Sequence, residues 1–167
     1  AAPANKQDLF STVAHEITHG LGFTTFVNLS TGAKASGFDD IFMVNLEDHS
    51  LRRSWPNMTN NQRRVSAINT GDLHWAGNNV TQLAATILTD GTRNNHVRMY
   101  APNPIRLGSS VAHWDTKLDP DELMEPDATP MQDGRLTQQL LKDIGWVLNT
   151  PGNTPGNQIF SDQFESP

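Results

Sequence analysis

The sequence predicts a loop-rich α+β domain, and three observations carry that prediction. Residues 9–20 have a helical apolar pattern, with Phe10, Val13, Ala14, Ile17 and Leu21 on one arc of the wheel. Phe23–Leu29 and Ile41–Leu46 are β-branched and aromatic enough to read as strands. Apolar residues make up only 36% of the chain while Asn, Thr, Gly and Pro are plentiful, so short elements with long connections are expected. A length of 167 residues is enough for one domain with its own core.

Taken in order, residues 1–7 read as a flexible lead, and Asp8 is the expected N-cap of a first helix ending near Gly20. Gly20 and Gly22 supply the breakers. The apolar arc of this helix is expected to face a core, which turns His15 and His19 on the opposite arc toward a cleft. Residues 23–110 form a long middle region. Within it, Thr59 and Gln62 match a capping box opening a short helix through about Ile68. Residues 72–75 and 96–100 read as short strands, and 80–88 fit a helix or a strand equally. Residues 111–130 should be irregular, because Pro120, Pro126 and Pro130 prevent long elements. Thr137 is expected to cap a final helix to about Ile144, with Leu136 and Leu141 stapled across the cap, Gly145 ending it and Trp146 packing back on the core. The domain should therefore span 1–148. Residues 149–158 are a linker by composition, and 159–167 form a short apolar and acidic tail.

Charge and composition narrow the function. A net charge of −6 argues against nucleic acid and anionic membranes as partners. No apolar run approaches the ~18 residues that a membrane-spanning helix needs. The absence of cysteine rules out disulfides and thiolate zinc sites, so any metal must be held by His, Asp or Glu.

The strongest chemical signal is His15-Glu16-Ile17-Thr18-His19. Residues four apart share a helix face, so both imidazoles can reach one zinc ion. Glu16 lies beside them, placed to take a proton from a water that the metal activates. A catalytic zinc usually has three protein ligands and one open position. The third ligand can come from His49, His74, His96 or His113, or from Asp115, Asp121 or Glu122. His49, among Glu47, Asp48 and Ser50, reads as a solvated turn, and His96 as the exposed head of a strand. His74 and His113 are each followed by Trp. Arg63-Arg64 reads as part of a solvated charged face. Asp39, Asp40, Asp115, Asp119, Asp121 and Glu122 are candidates for a structural calcium, although no oxygen-ligand loop pattern is present.

His15 to His19, continued by Gly20-Leu21-Gly22, resembles the first part of the metzincin zinc signature, in which the Gly bends the chain. The compact signature has its third histidine three residues later, and position 25 here is Thr25. One branch of the clan, the leishmanolysin-like peptidases, places a long insertion before that histidine. Its late segment carries His-Trp and then Leu-Met-x-Pro. Ser109-Ser110-Val111-Ala112-His113-Trp114 and Glu122-Leu123-Met124-Glu125-Pro126 resemble it in order and spacing. The resemblance rests on the first helix, residues 109–126 and, more weakly, the last helix.

It implies a metzincin-like catalytic domain with an active-site helix, a long mixed insertion at about 24–108, and a C-terminal helix. His15, His19 and His113 would hold one catalytic zinc, and Met124 would be the Met-turn residue, an apolar floor beneath the metal. Glu16 would be the general base of a zinc endopeptidase whose partner is a protein or peptide substrate. Tyr100, the only tyrosine, is expected to be a packed strand residue more than an oxyanion helper, and Asp115 a solvated acid more than a partner of a ligand imidazole. The clan also has an upstream half-domain with a twisted sheet. Only 14 residues precede His15, so that half is expected to be missing and to belong to the N-terminal part of a longer precursor. Leishmanolysin-like enzymes are rich in cysteine, and this chain has none, which points to a bacterial secreted relative; the resemblance, with the linker and tail, implies an extracellular location. A different class of reading is a non-catalytic exported binding or adhesion module that retains a structural zinc site. Within enzymes, the runner-up is a metallohydrolase acting on another amide.

Overall fold

The computed structural model describes residues 9–127 and 133–148. The lead at 1–7, the Asp8 cap, Pro130, the linker at 149–158 and the tail at 159–167 lie outside the described residues. Two-residue alternation in three short segments builds the sheet. β1 (Leu46–Asp48) pairs with β2 (Arg53–Ser54) on one side and β3 (Leu73–Trp75) on the other. β5 (His96–Arg98) pairs with β3 and with β4 (Thr92–Arg93). The result is a five-stranded antiparallel sheet of order β2-β1-β3-β5-β4. Its register sets Leu46, Leu73, Trp75 and Val97 on the core face. Glu47, His74, His96 and Arg98 occupy the other face.

Four helices are described: α1 (Leu9–Gly20), α2 (Asn60–Ser66), α3 (Asn78–Ile87) and α4 (Arg135–Asp143). The fold class is α+β, as expected from the sequence. One hydrophobic cluster runs from Phe23 to Leu140, with Trp55, Trp75 and Trp114 fully buried in it, so the middle region and residues 111–144 share a core. The capping box forms as its spacing requires: Gln62 N–H donates to Thr59 Oγ1 (3.3 Å), and Thr59 N–H to Gln62 Oε1 (2.9 Å). α2 then stops at Ser66, short of Ile68.

Several expectations are corrected. Phe23–Leu29 is no strand. Asn28 Oδ1 accepts from Ser30 and Thr31 N–H (3.0 and 3.1 Å), and this turn wins over local β propensity. Ile41–Leu46 begins as a 3₁₀ turn at Met43–Asn45, because the Asp40 carboxylate accepts from Phe42 and Met43 N–H (3.1 and 2.7 Å). Only Leu46 enters the sheet. Residues 80–88 resolve as helix, in α3. Thr137 lies inside α4 and caps nothing: its buried Oγ1 accepts from Trp114 Nε1 (3.2 Å), and Gly134 is the N-cap. Leu136 and Leu141 are both buried, but one helix turn apart from where a staple would need them. Arg63 is no surface charge. It is buried, and its guanidinium donates to the carbonyls of Gly32 (2.7 Å), Trp55 (3.1 Å) and Met58.

α1 departs most from expectation. Its apolar arc does not face the core: Phe10 is 80% exposed and Ile17 55%, and Thr18 is the helix's one buried residue. The helix is instead secured at its C-terminal end. Phe23 N–H bonds Thr18 C=O (3.2 Å) and Gly22 N–H bonds His19 C=O (3.1 Å), the paired bonds of a Schellman stop, with Gly22 at φ +111°. A Cβ at Gly22 would sit 3.0 Å from Ile144 Cδ1, so the end of α4 seats against this turn. Trp146 remains 47% exposed and closes the same corner through Nε1–H to Leu21 C=O (2.8 Å).

Candidate metal centre

His15 and His19 project from α1 one turn apart, and the fold brings His113 to them across 98 and 94 residues of chain. The three ligand nitrogens all lie within 4.8 Å of one another, and the ring centroids are 4.8 to 5.0 Å apart. Each ring is oriented by a backbone carbonyl at Nδ1: Leu123 for His15 (2.8 Å), Phe23 for His19 (2.9 Å) and Ser109 for His113 (2.8 Å). A carbonyl only accepts, so each Nδ1 carries the proton and each neutral ring keeps its lone pair on Nε2. His15 Nε2 and His113 Nε2 face each other at 3.1 Å. Two lone pairs so placed repel unless a proton or a metal ion lies between them. Burial, above all, pushes the His113 imidazole down to about 4, against the Ser109 hydrogen bond, so this ring is neutral and able to act as a ligand at neutral pH.

The local backbone explains how His113 gets there. Beyond β5, Tyr100 N–H donates to His113 C=O (2.9 Å), and Val111 and Asp115 N–H donate to the carbonyls of Tyr100 (2.7 Å) and Arg98 (3.0 Å). The 111–115 run is thus stitched to the chain leaving the sheet. Val111 takes φ +70°, a strained value for a β-branched residue, two positions before the ligand. Trp114 N–H then bonds Met124 C=O (2.9 Å), and Glu125 N–H closes a turn on Glu122 C=O (3.1 Å). That turn presents the Leu123 carbonyl to His15. A continuous path of hydrogen bonds therefore joins β5, the His113 run, the 122–125 turn and α1.

Met124, within this turn, is fully buried in the core. Glu16 is exposed, about 100° round α1 from His15 by helix geometry, which puts it next to the ligand face. Tyr100 contributes its backbone to the placement of His113. Asp115 is buried and not solvated, and its carboxylate accepts from Lys117 N–H (3.0 Å). Glu122 and Glu125 are buried in the turn. Burial, with Asp133 adding to it, raises Glu122 to about 9, and burial raises Glu125 to about 7. Neither Glu122 oxygen has a hydrogen-bond partner among the described residues, and the backbone of Leu136 and Thr137 gives its charged form only partial support. Among the described residues no group of three or more carboxylates converges, and the Asp40 carboxylate accepts from the N–H groups of Phe26, Phe42 and Met43.

Sequence reasoning missed a second cluster. Glu47, His49 and His96 also bring three ligand atoms within 4.8 Å of one another. His49 is not a solvated turn: its side chain is 11% exposed, and its ring stacks on buried His74 at 3.8 Å and 12°. His96 is not a free strand head, since its Nδ1 meets the Glu47 carboxylate. The signal was present as Glu47-x-His49 and His96-x-Arg98, same-face spacing on strands, but it needed the strand pairing to be read. His74, the other His-Trp histidine, bonds Asp72 C=O through Nδ1 (2.8 Å) and lies outside both clusters. Compared with known proteins, the chain matches no family model, no curated sequence and no solved structure.

Proposed function

We propose that this chain is the catalytic part of a zinc-dependent endopeptidase of metzincin-like type. The observation that carries the reading is the convergence of three Nε2 lone pairs, two from one helix turn and one from a remote run. Three neutral imidazoles fit zinc, and no fourth protein ligand joins them among the described residues, as a closed structural site would require. A bound zinc would lower the pKa of a water toward ~7 and polarise the scissile carbonyl. His15, His19 and His113 hold it, each kept in the ligating tautomer by its carbonyl. Glu16 accepts the proton of the attacking water and passes it to the leaving amine nitrogen. The turn at 122–125 fixes His15, and Met124 fills the apolar space behind that turn.

Glu16→Ala separates chemistry from binding. The expected result is unchanged zinc content by metal analysis, with casein hydrolysis falling at least ~100-fold, the lower end of what a general base contributes. A chelator should abolish the parent's activity and added zinc restore it. A Glu16→Ala variant that cleaves as fast as the parent overturns the assignment.

A further inference from the structure

The second cluster stands on the sheet face away from the core. Glu47 and His49 are two residues apart on and just beyond β1, and His96 opens β5, with β3 between them. Strands spaced ~4.8 Å apart put β1 and β5 nearly 10 Å apart, so Glu47, His49 and His96 meet by reaching over β3. Both imidazoles aim a nitrogen at the same oxygen, Glu47 Oε1. His49 Nε2 and His96 Nδ1 then lie 3.4 Å apart. Two ligands ~2.0–2.1 Å from a tetrahedral zinc are ~3.3 Å from each other, so this spacing is that of two corners of a zinc tetrahedron.

We propose that Glu47, His49 and His96 form a second zinc site, distinct from the His15 cluster, that fastens β1 to β5 across β3. Two imidazoles and one carboxylate are a borderline donor set that suits zinc, whereas calcium and magnesium call for oxygen ligands. The stacked His74 ring fixes the plane of His49 and keeps that ligand from swinging away. The cluster opens into a cavity of about 340 Å³, which leaves room for a water or a small anion as the fourth ligand. Arg52, Arg53 and Arg93 line the same cavity. Arg93 is neutralised by Asp72 at 2.7 Å, and Arg52 and Arg53 are solvent-exposed, where screening weakens their repulsion of a cation.

The test uses the full chain and does not depend on peptidase activity. His15→Ala/His19→Ala removes the first cluster. After stripping with a chelator and titrating with Zn²⁺ against a chromophoric competitor, this double variant should bind one equivalent where the parent binds two. Zinc should also raise its melting temperature. Adding His96→Ala should abolish that equivalent. Glu47→Gln keeps the shape and hydrogen-bonding reach of the side chain if His96→Ala disturbs the sheet, and it should weaken zinc binding by more than about tenfold. A folded double variant that takes up no zinc overturns the proposal, as does a Glu47→Gln version that binds zinc as tightly as its parent.

Discussion

At the residue scale, carbonyl oxygens fix the imidazoles of the first cluster, and buried carboxyls hold the turn that supplies one of those oxygens. Glu125 Oε1 accepts from Glu122 N–H (3.0 Å), while the buried Glu122 carboxyl has no hydrogen-bond partner among the described residues. Both folded pKa values stand above the ordinary 4.5, so from about pH 4.5 upward the unfolded chain carries fewer protons than the native one. Stability must then fall as pH rises, up to about 7 through Glu125 and on to about 9 through Glu122. Glu122→Gln should flatten the upper part of that decline, and urea midpoints at pH 6 and pH 9 check it. A variant whose midpoint drops as far as the parent's would show that Glu122 does not titrate there. The i, i+4 histidines were legible because helix geometry is local and a zinc ion needs only their common face. His113 was legible only through resemblance. Its meeting with His15 depends on bonds to Leu123 and Tyr100 that no local pattern announces. The Glu47 cluster stayed hidden for the same reason, since a strand's neighbour is not written in its own residues.

At the element scale, helices are completed by residues far away in sequence. α3 begins at Gly77 with no cap of its own, which is why 80–88 could not be assigned from local signals. Its cap comes from the C-terminal end of α4: Asp143 accepts from Asn79 N–H (2.8 Å), Val80 N–H (3.2 Å) and Trp75 Nε1–H (3.0 Å). One carboxylate thus satisfies two orphan donors of α3, meets its positive end and ties it to a buried tryptophan. Gly77 is there for space, since its φ of −60° is ordinary: a Cβ would lie 2.1 Å from Asp143 Oδ2 and 2.3 Å from Trp75 Nε1. Asp143→Ala should cost roughly 1–2 kcal/mol, as loss of a side-chain N-cap does, and more if Trp75 is left unpaired. Gly77→Ala should cost at least as much by displacing the same carboxylate. Chemical denaturation of both variants and of the double variant checks the mechanism. The two losses should be strongly non-additive because they break one contact. The capping box of α2, by contrast, was readable from Thr59 and Gln62 alone, because all its partners lie within four residues.

At the scale of the whole molecule, the ligands of the first cluster come from two parts of the chain, the mostly exposed helix α1 and the buried His113 run. α1 buries only Thr18 and exposes Phe10, Val13 and Ile17 of its apolar arc; its Schellman stop, the Trp146 bond to Leu21 and the ring contacts of His15 and His19 are among the contacts that hold it. The His113 run and the 122–125 turn belong to the core, through Trp114 and Met124. A metal shared between them would act as a cross-link, and ligand binding stabilises the state that binds by RT ln(1 + [L]/Kd). That stabilisation should appear where the structure is loosest. Amide hydrogen exchange of the metal-free chain should be fast across residues 9–17 and slow in β3, α3 and α4, in proportion to burial and hydrogen bonding. Added zinc should slow exchange across α1 and residues 109–125, while α3 and α4 change little. Running the experiment in His96→Ala, which takes a ligand from the second cluster, separates the two responses, so slowing in α1 reports the first cluster. Equal slowing everywhere would mean that zinc stabilises the fold globally and does not staple α1 to the core. No slowing in α1 would mean that His15 and His19 do not share a metal with His113.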